Sequence, residues 1–333
     1  MAGTRDIELQ RGVEPIRERP EMYVGDLAGE GLYNLIWGLV AHYFDHRSPS
    51  GPSSLSIEID RDSTVTIRDD GHGIPIEYWE RPLERQFATM QGRLLGVPPQ
   101  TIASALSETL VVATTREGER WTQPFARGIP TSEMVSLGGS AERGTMLRFR
   151  PDPVVFPSID FDHAQIADRL RAIAWLCSPF AISWQGERLE SAGGIARWVD
   201  LICDSPIEAR ISTWLPDARV NLALAWRGSG APILRSFANS YETVAGPHLD
   251  AFWTQLTGLA ARALEVDVDA DHVRERLEVG LVGIVHVMLP DPFFQDGTHT
   301  TLRSPGAATQ VERGFASIEL TAPLRRFLLA RLL

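Results

Sequence analysis

Residues 64–77 read TVTIRDDGHGIPIE. The run from Thr64 to Asp69 alternates with period two, as a strand does. It stops on two adjacent carboxylates, Asp69 and Asp70, and gives way to Gly71-His72-Gly73-Ile74-Pro75, a loop by its glycine and proline content. Just upstream, LSIEI (55–59) alternates in the same way across a short Asp-rich turn, so the two runs read as a hairpin. Further upstream, GLYNLIWGLVAHYFDH (31–46) carries Leu32, Leu35, Ile36, Leu39, Val40, Tyr43 and Phe44 at helical spacing. Its other face lines up Asn34, Gly38, His42, Asp45 and His46.

Beyond the loop the pattern stays mixed. Residues 102–106 read as helix, LVVATT and RWTQPF flank REGE as a second hairpin, and TMLRFRP is a further strand. Residues 163–177 have helical period, FAISWQGE is a strand, and 193–203 is a helix opening on Gly-Gly. After Pro206 the pattern restarts: strands near 211–215, 221–226 and 233–239, a long helix over 248–264, the strand LVGIVHVML and a terminal helix PLRRFLLARLL. The pattern predicts two domains, 1–205 and 206–333, each mixing helices with mostly antiparallel strands in two layers, an α+β class.

The 333 residues are 44% hydrophobic and 23% charged, with a net charge of −11. That is enough apolar residue for one large core or two ordinary ones. The acidic balance argues against a general nucleic-acid surface, so direct DNA binding is not expected. No apolar run is long enough to span a membrane, and the polar start MAGTRDIELQRG lacks a signal-peptide core, so a cytoplasmic location is expected. Cys177 and Cys203 sit in apolar helical patterns and read as reduced residues, not as a disulfide or zinc site. Lysine is absent: all 32 basic residues are arginine, which excludes any P-loop or Schiff-base lysine.

Several ordered motifs carry a resemblance. GVEPIRERPEMYVGD (12–26), the helix, and IRDDGHGIPIE are followed by SALS (104–107), TREGE (115–119), ERGTMLRFRPD (142–152), GGIARWVDLI, GPHLDAF and VGLVGIVHVMLPDPFF. In that order and spacing the chain resembles the ATPase region of DNA gyrase B and of its topoisomerase IV relative. The resemblance implies a GHKL (Bergerat) two-layer sandwich followed by a transducer domain of ribosomal-protein-S5-like fold. The family's DNA-cleaving domains have no counterpart in these residues, so the expectation is a stand-alone, degenerate copy that is not by itself a topoisomerase.

The resemblance also implies where chemistry should be. In the family a helix glutamate activates water, an asparagine one turn later holds magnesium, a glycine-rich lid wraps the phosphates, and a lysine from the second domain faces the γ-phosphate. Here those positions match Gly38, His42, the segment GRLLGVPPQ with Pro98 and Pro99, and His299. ATP hydrolysis by the family mechanism is therefore not expected; no cofactor or metal is assigned, and Mg-ATP is not expected to be one. The adenine end is better kept: Asp69 and Thr145 match its reading pair, Gly73, Ile74 and Pro75 its wall, and Arg116 its mouth, with Gly38 on the facing helix. Asp70 and the glycines are expected to set the turn.

Two readings follow. In the first the old pocket is repurposed for acid–base chemistry on a small molecule, an elimination, isomerisation, cyclisation or hydrolysis such as specialised biosynthesis uses. His42 and His299 would trade protons, Asp45 or Asp69 would orient them, and His72 stands beside them. A metal variant would use His42, His46 and Asp45, a spacing that is only a moderate zinc signal. In the second the protein is a non-catalytic pseudo-ATPase that binds an adenine-like or gyrase-inhibitor-like ligand, or regulates gyrase as a decoy. The arm MAGTRD is short and has no tyrosine, so no ATP-driven clamp is expected, and any homodimer would use another surface.

Overall fold

The computed structural model describes residues 12–45, 52–74, 89–90, 93–94, 97–264, 269–295 and 299–332, and of residues 42–45, 89–90 and 93–94 the backbone alone. The chain divides into two compact units: residues 1–170 with 180–189, and 171–179 with 190–333.

In the first unit α1 (Glu14–Glu18), α2 (Glu21–Val24) and α3 (Gly31–Asp45) precede the hairpin β1 (Ser54–Ile59) and β2 (Val65–Asp69). The short β3 (Thr89–Met90) and β4 (Arg93–Leu94) pair with each other. Then come α4 (Pro99–Ala105), β5 (Ser107–Arg116), β6 (Glu119–Ala126), β7 (Ile129–Pro130), β8 (Val135–Gly139) and β9 (Gly144–Pro151). α5 (His163–Cys177) begins in this unit and its residues from 171 on belong to the second; β10 (Ala181–Trp184) and β11 (Glu187–Arg188) complete the sheet. Among the described residues it has nine strands, ordered β11-β10-β1-β2-β9-β5-β6-β7, with β8 also on β6. Within this sheet, among the described residues, only β1–β10 is a parallel pair.

Strand alternation decides what is packed. Leu55, Ile57 and Ile59 are buried while Ser54, Ser56 and Glu58 between them are half-buried. α3 buries the stripe its sequence predicts, Leu32, Leu35, Ile36, Leu39 and Val40. α4 starts at Pro99, earlier than the run from 102 that the pattern gives, because proline at the first helical position needs no N–H partner and already has helical φ. A buried ion cluster ties the ends of this unit together. Asp152, whose side chain is fully buried, accepts from Arg17 at 2.8 Å and Arg127 at 2.9 Å. Burial pushes its carboxyl up, but the Val154 N–H and the two guanidinium groups outweigh that and hold it below the usual carboxylate range.

The second unit contains α6 (Gly194–Ile202), β12 (Ile207–Leu215), β13 (Val220–Arg227), β14 (Ile233–Ala238), β15 (Tyr241–Thr243), α7 (Pro247–Leu264), α8 (Ala270–Glu278), β16 (Leu281–Val287), α9 (Gly306–Ala316) and α10 (Ala322–Leu332). Its sheet runs β12-β13-β16-β14-β15. It takes in α6, which lies before the boundary expected near residue 205: Trp198 of α6 packs on Phe237 of β14. All seven residues of β16 are buried, which is why LVGIVHV shows no alternation. One core joins Leu222, Leu224 and Trp226 to Phe252, Leu256 and Phe315. The Trp226 N–H donates to the Leu277 carbonyl at 2.8 Å, so the largest buried ring carries no unpaired donor. The pattern gives no sign of α8, because it buries only Val273 and Leu277, too thin a stripe to stand out.

Candidate ligand site at the end of β2

Asp69 and Asp70 both bind backbone, in different directions. Asp69 Oδ1 accepts the Gly71 N–H at 2.7 Å and closes the turn; Oδ2 accepts the Thr145 N–H of β9 at 3.2 Å. Asp70 accepts the Ser53 N–H at 2.7 Å, the Ser54 N–H at 2.9 Å and the Ser53 hydroxyl at 2.5 Å. Partial burial pushes the Asp70 carboxyl up, yet the Ser53 hydroxyl and the two N–H groups outweigh it and hold it low. Asp69 therefore closes the turn, whereas Asp70, expected to set it, ties the strand end to the start of β1.

The loop is stapled to the sheet through both backbone groups of one residue. The Ile74 N–H donates to Thr145 Oγ1 at 3.1 Å, and the Thr114 hydroxyl donates to the Ile74 carbonyl at 3.1 Å. Two glycines make this approach feasible. Gly73 has φ +75°, and a Cβ there would lie 2.5 Å from the Thr115 carbonyl oxygen. Gly144 has φ +103°, and its Cβ would lie 1.8 Å from the Asp69 carbonyl oxygen. Thr145 spends a lone pair on Ile74, which leaves its hydroxyl proton to donate. The corner therefore offers a carboxylate, one hydroxyl donor and a fixed stretch of backbone, a set suited to the polar edge of a flat ring. Arg116 ends β5, part-exposed, with Nε 3.6 Å from Glu117.

The helix wall differs in character. A Cβ built on half-buried Gly38 would meet Pro99 Cβ at 3.5 Å, so α4 stands against that part of α3. Pro98 and Pro99 at the start of α4 provide no N–H, and no side chain caps it. The Thr101 and Ile102 N–H groups turn back to the Pro98 carbonyl. Gln100 Oε1 and Ser104 Oγ of α4 are buried with no hydrogen-bond partner among the described residues. Neutral groups, not an array of free N–H donors, occupy this stretch.

The remaining predicted residues scatter. His72 is exposed on the loop. His42 and Asp45 lie in α3 with side chains outside the described residues, and His46 and Pro75 lie outside them altogether. His299 belongs to the second unit, where its ring stands 4.3 Å from Tyr241 and 4.8 Å from Phe294, at φ +60°. His286 of β16 has Nε2 3.0 Å from the Asn239 carbonyl oxygen. Sequence reasoning missed Thr114, Ser53 and Ser54, whose roles depend on strand pairing. It also missed His248, fully buried with Nε2 2.8 Å from Thr243 Oγ1 and 3.2 Å from Ser236 Oγ. Burial pushes its pKa down to about 4. Among the described residues no group of three or more His, Cys, Asp or Glu side chains could hold a metal ion. Among them, too, no helix is long and apolar enough to cross a membrane.

Comparison with known proteins agrees with this geometry. The DNA gyrase B family profile matches residues 194–325. DNA gyrase B of Staphylococcus epidermidis is 28% identical over an alignment covering 94% of this chain and 54% of that protein. DNA gyrase B of Clostridium acetobutylicum is 29% identical, covering 89% of this chain and 52% of its own. The chain thus spans about half the length of the curated relatives it matches. Among solved structures, gyrase B from Myxococcus xanthus superposes with a TM-score of 0.81 at 26% identity, covering 96% of this chain and 99% of that one. The 43K ATPase domain of Thermus thermophilus gyrase B, at 24% identity, has a TM-score of 0.75 and covers 97% of this chain and 94% of its own. The chain resembles gyrase B over nearly its whole length, and its fold is that of the gyrase B ATPase region.

Proposed function

We propose that this gyrase-B-like protein binds a flat, adenine-like ring and does not hydrolyse ATP by the gyrase route. The observation that carries the reading is the contrast between the two sides of the site. At the strand end, Thr114 and Thr145 hold the Ile74 backbone by hydrogen bonds of 3.1 Å each, and Asp69 accepts the Thr145 N–H at 3.2 Å. At the helix side, Gly38 has no base to offer and Pro98–Pro99 no donors. A rigid hydrogen-bonding corner favours a planar heterocycle; a wall that, among the described residues, presents Gly38 and two prolines without N–H groups does not favour hydrolysis of a bound triphosphate. A compound of gyrase-inhibitor type, with a ring donor and acceptor, fits the same corner.

Calorimetric titration with adenosine, ADP and ATP, with and without magnesium, tests this. The expected result is similar affinity for all three, no effect of magnesium and no phosphate release. In Thr145→Val the hydroxyl is lost at nearly constant shape, and adenosine affinity should fall about tenfold. Magnesium-dependent ATP binding with turnover would overturn the reading.

Acid–base chemistry on a small molecule by His42 and His299, with Asp45 or Asp69 and His72, is the second reading. What favours it is histidine at the two positions that the resemblance matches to the magnesium ligand and the lysine, His42 and His299. Turnover of an identified substrate that survives both His42→Ala and His299→Ala would end it.

A further inference from the structure

We propose that the first sheet carries a second binding site, for a phosphate group of a small molecule, centred on the arginines of the face opposite the Ile74 staple. Strand alternation places Thr114 and Thr145 on one face and Ala113, Thr115, Met146 and Arg68 on the other. The register brings these last four together: Arg68 pairs with Met146, Met146 with Ala113, and Thr115 with both Gly144 and Arg120. Where these strands end, a cavity of about 60 Å³ opens, lined by Arg68, Thr115, Arg120, Arg143 and Glu142, with Asp69 and Thr145 of the Ile74 corner at its edge. Its size is that of one tetrahedral oxyanion.

Charge and hydrogen bonding both point to an anion. Along the same face the other arginines are neutralised: Arg148 is 2.7 Å from Asp60, and Arg150 bonds Glu108. At the cavity they are not. Arg68 and Arg143 have no ion pair or hydrogen bond among the described residues, and neither does the Thr115 hydroxyl, on a residue 7% exposed. The two carboxylates are already engaged: Asp69 accepts from Gly71 and Thr145, and Glu142 faces Arg120 at 3.5 Å. Three guanidinium groups against two carboxylates leave a net positive cavity on a chain of net charge −11. Two guanidinium forks and a hydroxyl match a phosphate's several acceptor oxygens better than one carboxylate's two. The neutralised arginines elsewhere on the face leave no extended basic track for a nucleic-acid backbone.

The test is titration of the whole protein with inorganic phosphate, phenyl phosphate, benzoate and a short DNA duplex, followed by calorimetry or NMR shifts. Both phosphates are expected to bind with Kd on the order of millimolar. Arg68→Ala/Arg143→Ala should weaken them at least about tenfold, and Thr115→Val about threefold. Both arginines are exposed, so an unchanged melting temperature checks the fold of the double variant. Adenosine affinity should be unaffected in all variants, which separates this site from the corner at Ile74. Absence of phosphate binding, insensitivity to the double variant, benzoate equal to phenyl phosphate, or preference for the duplex would each overturn the proposal.

Discussion

Asp69 and Asp70 are neighbours of identical chemistry with different partners. Asp70 faces the start of β1 and is consumed by three donors from Ser53 and Ser54. Asp69 faces the turn and β9, so its carboxylate stays at the end of the sheet where a ligand would meet it. Gly144 is what lets β9 come so close. Gly144→Ala would require both a left-handed backbone and a Cβ 1.8 Å from the Asp69 carbonyl oxygen. It should cost at least about 2 kcal/mol in urea unfolding, because backbone cannot yield as a side-chain tip can. A variant as stable as the parent would show that the close approach is misassigned.

At the scale of elements, α3 and α4 meet at Gly38 and Pro99. Gly38 sits inside α3, where glycine is a poor helix former, and the space beside it is bounded by Pro99 at ordinary contact distance. Gly38→Ala should therefore raise stability by about 0.5–1 kcal/mol, read as a higher melting temperature. A loss instead would mean that the backbone at Gly38 is needed as it is. α1 is held in another way. Asp152→Asn keeps the shape but leaves Arg17 and Arg127 without their counter-charge. With Arg127 51% exposed, water screens part of the loss, so a cost of about 2 kcal/mol is expected, with faster amide exchange in α1. Unchanged exchange there would show that the cluster does not hold α1.

For the whole molecule, the two units should respond to acid in different ranges. His248 in the second unit has a pKa of about 4 against 6.5 when free. The unfolded chain binds the proton first, so stability is complete above pH 6.5 and falls as pH drops towards 4, by about 3 kcal/mol in all. Asp70 and Asp152 in the first unit are held below 3.8, so their contribution is lost only as pH falls through and below that value. Hydrogen exchange at pH 7, 5 and 3.5 should show the second unit weakening first. Simultaneous loss in both units would contradict this.

The sequence alone determined the mixed α/β class, the hairpin ending on Asp69–Asp70, the α3 stripe and the gyrase-B-like order of motifs. These are local signals: period, turn residues and spacing. It could not reveal the parallel pairing of β1 with β10, because residues 54 and 181 are joined through space and not through pattern. For the same reason Thr114 was unseen as the partner of Ile74, and Arg68, Thr115 and Arg143 as neighbours. A residue's face is legible from its strand's period, but which strands lie side by side is decided by packing. The tertiary structure alone brought these polar groups into two clusters on opposite faces of one sheet.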